Sequence, residues 1–391
     1  MIATAPALLI ALLVVAPLPG AAKVPPVGQQ ATQAKPAQPP KPKKPPTAKL
    51  VEPWPDAAKL EERRADAEAR RLFQQTEPLV FTLTADFKAV NRDRDLKSTK
   101  TFPAVLAVGG QDGAGTAAPL HVSLYTRGNV RLTSHLCSFV PLGIDFTKKE
   151  VQGTVFDGQN KMKLITHCEN NAQFDQYVLR EYLAYKLYNL VTPRSFRARL
   201  ARATYVDSTS GKTLATRNAV LIEDEDDLAA RMEGRAMALP RMQFKDFDQD
   251  ALTLMMLFQY MIGNTDFSIY QLHNVHMVQT QAKVFYPIIW DFDITGFAGT
   301  PYGKPDPRLE ISTPRERLYR GPCRSMAEYE PSLAVFRAKQ AEALALLDLP
   351  GLDQGNRRDA AQFLGEFFSL LGRPQALKHE LVDKCKSQPL M

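Results

Sequence analysis

Asp250-Ala-Leu-Thr-Leu-Met-Met-Leu-Phe-Gln-Tyr-Met-Ile-Gly263 is apolar on nearly every side and ends at the residue type that most readily closes a helix in the left-handed conformation. It reads as a buried helix. Asn264, Thr265 and Asp266 follow at once, then His273 and Asn274. The strand-like run Lys283-Val-Phe-Tyr-Pro-Ile-Ile-Trp290 next delivers Asp291-Phe-Asp293 into a turn at Gly296. Polar groups therefore gather where buried elements end.

Oxygen ligands in this order suit coordination chemistry. Mg²⁺ wants near-octahedral oxygens and is usually held by one or two carboxylates plus a phosphate-bearing substrate. Asp266, Asn274, Asp291 and Asp293 offer such atoms. A carboxylate after a helix, an amide oxygen further on and a carboxylate at a strand end is the order of parts in kinase-type phosphoryl transfer. On that reading Asp266 orients the accepting hydroxyl, Asn274 and Asp291 hold metal, and Asp293 assists or substitutes. The same residue types also end helices and turns in proteins of every kind.

Asn274-Val-His-Met277 and Ile289-Trp-Asp-Phe-Asp-Ile-Thr-Gly296 resemble the CotH spore-coat family of kinase-like proteins. The similarity runs from about Leu120 to Gly321 and takes in Ile262-Gly-Asn-Thr-Asp266 and Arg315-Glu-Arg-Leu-Tyr-Arg-Gly321. The exported bacterial branch of the family is the nearest in kind. The resemblance implies an α+β, atypical protein-kinase-like fold of two lobes, a small sheet-rich one and a mainly helical one, with ATP and Mg²⁺ as ligands. The chain lacks a Gly-rich nucleotide motif and a His-Arg-Asp string, and Asn274 lies eight residues after Asp266.

At 391 residues, with 45% apolar and 23% charged residues, the chain is long enough for such a domain plus flanking segments. The net charge of +7 is inflated by a basic stretch near the N-terminus and gives no ground for nucleic-acid binding. Residues 1–22 read as an export signal: Leu8 to Leu18 is apolar, and Pro-Gly-Ala-Ala22 offers a cleavage site. The run is short of the ~20 residues a membrane-spanning anchor needs. Residues 23–56, rich in Pro, Ala, Lys and Gln, cannot bury enough surface to offset their ordering entropy and read as a disordered linker.

A charge-rich helix is expected from Ala57, followed by strands at Leu79–Phe87 and Phe102–Val108, so that 57–118 joins the small lobe. A loop is expected at 109–115. The small lobe itself is expected at 119–225 and the helical lobe at 226–391. Leu120–Asn129 reads as a strand and turn, with Arg127 and Gly128 as candidates for phosphate contact or as a plain turn. Lys161–His167 reads as a strand and Phe174–Leu190 as a helix whose Glu181 falls on the apolar stripe. A buried carboxylate is costly without a partner. Lys163 is the proposed one, in the strand-lysine to helix-glutamate pair that positions nucleotide phosphates, or else in a structural ion pair.

Asn218–Ile222 reads as a buried strand. In the family this strand leads to the inter-lobe hinge, which would put adenine at Leu221 to Glu223. Arg315, Arg317 and Arg320 either pair with nearby acids or, one of them, dock substrate. Cys137, Cys168, Cys323 and Cys385 are an even number too widely spaced for a compact zinc site. Chain proximity favours Cys137–Cys168 and Cys323–Cys385 disulfides, with other pairings open.

The functional expectation is an exported Mg²⁺-dependent kinase acting on a cell-envelope protein, periplasmic or secreted, with no membrane span once the signal is removed. A kinase-like scaffold or adhesin without turnover, or a nucleotide or sugar-phosphate sensor, is the alternative.

Overall fold

The computed structural model describes residues 48–109, 118–133 and 136–385. All lie in one compact unit, 45–391. The expected export signal, most of the expected linker and nearly all of the loop expected at 109–115 fall outside the described residues.

Seven strands carry the N-terminal half. They are β1 (Leu79–Ala85), β2 (Phe102–Val108), β3 (Leu120–Thr126), β4 (Leu142–Phe146), β5 (Lys161–Ile165), β6 (Ala198–Asp207) and β7 (Thr213–Ile222). Strand β1 buries every second residue, as its alternating sequence requires. The order around the sheet is β1-β2-β3-β4-β5-β7-β6, and β6 returns to β1 as a parallel partner with Leu83 opposite Tyr205. That pairing closes a barrel and leaves the sheet no free edge. Leu83, Leu106, Leu124, Leu142, Leu164 and Leu221 are fully buried in the cluster that fills it, so the barrel is a packed core and not a channel.

This closure overturns the expected α+β two-lobed kinase-like fold. In place of a small sheet-rich lobe with open edges there is a closed seven-stranded mixed barrel, and the helices collect in the C-terminal part.

Helix α1 (Ala57–Glu68) is the expected charged helix, with Arg64 bonded to Glu61 and Glu68. Residues 48–55 of the expected linker are ordered. Ala48–Val51 forms a helical turn, and Arg235 donates to the carbonyls of Lys49, Glu52 and Pro53 and stacks 3.7 Å over Trp54. Helix α2 (Ala172–Val191) packs against β6 and β7 on one side and the C-terminal helices on the other. It is therefore buried on most of its surface.

A second sheet orders β10 (Phe285–Ile289), β9 (Val275–Thr280) and β8 (Gly234–Met237), after the short helix α3 (Glu225–Arg231). Helix α4 (Gln249–Ile262) is the run read first from the sequence. Asp248 caps its start by accepting from the Ala251 N–H. Gly263 closes it at φ 63°, and a Cβ there would also lie 2.9 Å from the Pro314 carbonyl oxygen. The chain returns beside this end: the Gly296 N–H donates to the Gly263 oxygen, and Asn264 bridges Thr295. The residues after α4 and those after β10 are thus held side by side.

Helices α5 (Met326–Ala345) and α6 (Gln354–Leu371) complete the larger core. Both favoured disulfides are present, Cys137–Cys168 and Cys323–Cys385, as fits an exported protein. Among the described residues no helix is long and apolar enough to cross a membrane.

Candidate functional site

One cleft of about 540 Å³ gathers seven of the residues singled out from the sequence: Arg127, Gly128, Glu181, Asp266, Asn274, Asp291 and Asp293. The turn after β3 forms one wall, and the ends of α4 and β10 form the others. A larger hollow, about 730 Å³, lies between α6 and Arg317 and holds none of the ten expected residues. Four of its charged residues are engaged in Arg317–Glu366 and Lys384–Glu380 pairs. The smaller cleft is the one that gathers the expected residues.

Asp266 is gripped from two sides. His273 Nε2 lies 2.9 Å from one carboxylate oxygen, and the Asn274 amide donates to the other at 3.1 Å and to the Asp266 carbonyl at 2.8 Å. The hydrogen bond to Asp266 raises the His273 pKa, so the imidazole is held toward its cationic form. Arg320 fastens the same loop from behind, donating to the carbonyls of Thr265 and Phe267. Arg317 likewise bonds Met261 and Phe363 carbonyls, and Arg315 pairs with Asp359. These three arginines are structural in this arrangement.

Asp291 sits at φ 65° with its N–H donated to the Tyr185 hydroxyl of α2. Asn274 (φ 53°) and Leu272 (φ 55°) share the left-handed region and line the same cleft. Asn and Asp tolerate it through their short polar side chains. Leu does not, and strain of this kind, of order 1–3 kcal/mol per residue, collects at functional sites.

Glu181 reaches the cleft from α2, only 3% exposed, with one carboxylate oxygen lacking any hydrogen-bond partner. Burial, and then Asp293 and Asp291, push its carboxyl well above the ordinary range. Burial and Asp291 similarly raise Asp293 to about 7, while the Tyr302 hydroxyl donates to it. Arg131 is a buried cation that feels the charge of all three acids. It donates to the carbonyls of Thr166 and His167, and its Nε has no partner.

The expected Lys163–Glu181 pair is not formed. Lys163 lies 3.8 Å from the Trp290 ring centre and 3.3 Å from His276 Nε2. His276 uses its other nitrogen on Glu225 at 2.7 Å, which leaves Nε2 to accept from the Lys163 ammonium. Burial first, then Arg127, lowers the Lys163 pKa to about 8. Arg127 stacks 5.2 Å over the same Trp290. Glu181 is buried as expected, though on a helix buried on most of its surface and not on a single stripe, and Lys163 lies elsewhere because β5 aims it at the second sheet.

Two further expectations are corrected. Leu221 is sealed in the barrel core and offers no surface to adenine. Glu223 is fully buried and committed to Arg197 and Arg231, both at 2.8 Å. Four residues of the arrangement carried no assigned role in the sequence reading: His273, Arg131, Trp290 and Tyr302. His273 had a local signal, its place beside Asn274 in the polar cluster; Arg131 and Tyr302 had none, since only folding brings them to Asp293.

Among the described residues no group of three or more His, Cys, Asp or Glu side chains is arranged to hold a metal ion. A hard cation asks less of the protein when phosphate and water complete its shell. Asp291 and Asp293 share the cleft lining with Glu181, one of whose buried oxygens has no hydrogen-bond partner. No protein-family profile matches this chain, and comparison with curated proteins returns no match, so the likeness to CotH rests on the quoted strings alone.

Proposed function

We propose that the cleft binds a Mg²⁺-bound nucleoside triphosphate, ATP, and passes its γ-phosphoryl group to a hydroxyl of an exported or envelope protein. One observation carries this reading: an acid oriented from both sides, Asp266, faces the same space as the partly buried Asp291 and the buried Asp293. A positioned base opposite cation ligands is the minimum that phosphoryl transfer requires of a protein.

Asp266 accepts the proton of the incoming hydroxyl, whose oxygen forms the new bond to phosphorus as the bond to the bridging oxygen breaks and the nucleoside diphosphate leaves. His273 and Asn274 keep the carboxylate aimed. Arg127, over Trp290 at the rim, is available to phosphate oxygens. Asp291 and Asp293 would hold Mg²⁺, which would supply neutralising charge to the transferring group, and Asn274 would offer its amide oxygen, its amide nitrogen being the atom engaged on Asp266. Arg131 limits repulsion among the acids.

Sealing of the expected adenine position favours a second reading, a sensor that holds a phosphorylated ligand without transfer. Thermal unfolding with Mg²⁺-ATP separates binding from its absence. A rise in Tm that Asp291→Asn removes supports either reading; no rise in the wild type removes transfer from ATP and leaves only a sensor for a phosphorylated ligand other than ATP.

A further inference from the structure

A second hollow, about 550 Å³, lies on the other side of Asp266. Asn129, Asp266 and His273 line both this hollow and the cleft, so they form the partition between them. The far chamber lacks Glu181, Asp291 and Asp293. It is lined instead by Thr265, Ser268 and Gln271 and by the loop that carries Lys304, Asp306 and Arg308.

Charge is what distinguishes this chamber. Lys304, Arg308 and Arg320 face Asp306 and Asp266, and Asp266 is already matched by His273. Arg308 is drawn onto Asp306, and Arg320 is turned to backbone carbonyls. Lys304 is exposed, and no ion pair of its own offsets it among the described residues. An incoming segment would meet a net positive wall, with hydroxyl and amide groups beside it and a carboxylate at the far end.

We infer that this chamber receives the phosphate acceptor, an acidic peptide segment whose Ser or Thr hydroxyl reaches Asp266 from the side opposite the nucleotide. The inference rests on the phosphoryl-transfer reading and adds the acceptor class to it. The donor and acceptor then enter by different mouths and meet at one carboxylate, an arrangement compatible with in-line displacement, in which the attacking and leaving oxygens lie on opposite sides of phosphorus. In the step, the acceptor O–H proton passes to Asp266, the O–P bond forms, and the bond from the γ-phosphorus to the bridging oxygen breaks. Carboxylates flanking the acceptor residue pair with Lys304 and, in competition with Asp306, with Arg308.

The test uses the full chain with its disulfides intact, Mg²⁺-ATP, and three twelve-residue peptides: one Ser among glutamates, the same Ser among lysines, and the acidic peptide with Ala for Ser. Binding is read by fluorescence anisotropy and transfer by labelled phosphate. The expected result is preference for the acidic Ser peptide, with Lys304→Glu raising its KM about fivefold at nearly constant kcat. Equal or better use of the basic peptide, or no change of KM in Lys304→Glu, would overturn the inference. If no peptide is phosphorylated, binding still decides. Acidic peptide held by the wild type and released by Lys304→Glu keeps the docking site and removes catalysis. No binding of the acidic peptide removes the docking site.

Discussion

Lys163 holds its ammonium against the face of Trp290 in a partly buried position, and the cost of that desolvation sets its behaviour. Its folded pKa of about 8 lies below the ordinary lysine value of 10.5, so between these pH values the folded chain binds fewer protons than the unfolded one. The destabilisation from this group is therefore fully present below pH 8 and is relieved as pH rises toward 10.5. Urea unfolding at pH 7.5 and 10, followed by tryptophan fluorescence, should show a gain from this group on the order of 2 kcal/mol. Lys163→Met should lack that gain. An identical pH response in the two proteins would place Lys163 in water. The same residue shows what sequence cannot supply: alternation on β5 fixes which face Lys163 takes, yet not that His276, far along the chain, waits there.

At the scale of elements, the legible parts were those whose pattern is local. Helix α4 announced itself by its apolar run and by Gly263, and β1 by strict alternation. Barrel closure had no such mark, because β1 and β6 pair across more than a hundred residues and either strand would look the same at the edge of an open sheet. Helix α2 was legible as a helix, but a helix buried on nearly every side gives no stripe to orient it. The end of β7 shows the consequence. Glu223 was read as a place for adenine, whereas it is the buried acid that ties β7 to Arg197 on one side and Arg231 of α3 on the other. Glu223→Ala should lower stability by about 3 kcal/mol, since it leaves two cations facing an uncompensated site. Chemical denaturation measures this, and a loss under ~1 kcal/mol would mean that the two arginines are satisfied by water and carbonyls alone.

For the whole molecule, the chain joins a packed barrel to a helical body, and the cleft lies where the turn after β3 meets the ends of α4 and β10. Each disulfide secures one part: Cys137–Cys168 the barrel beside the cleft, and Cys323–Cys385 the first and last of the C-terminal helical segments. Reduction should cost about 3 kcal/mol per bridge, read as a lower Tm in the presence of dithiothreitol, while an unchanged Tm would show that packing alone holds these segments. Seven of the ten residues chosen from the sequence meet in one cleft: six lie at or just beyond the ends of elements, which closing the core brings together, and Glu181 reaches it from the middle of the buried helix α2. The likeness to a known fold did not survive, although the local strings that suggested it surround the cleft.

The most direct measurement is Mg²⁺-dependent transfer of labelled phosphate from ATP by the disulfide-intact chain, in wild type, Asp266→Ala and Asp291→Asn. Incorporation into the chain itself or an envelope protein that falls at least about a hundredfold in both variants is the expected result. No incorporation by the wild type, or incorporation that persists in both variants, would contradict transfer at this cleft.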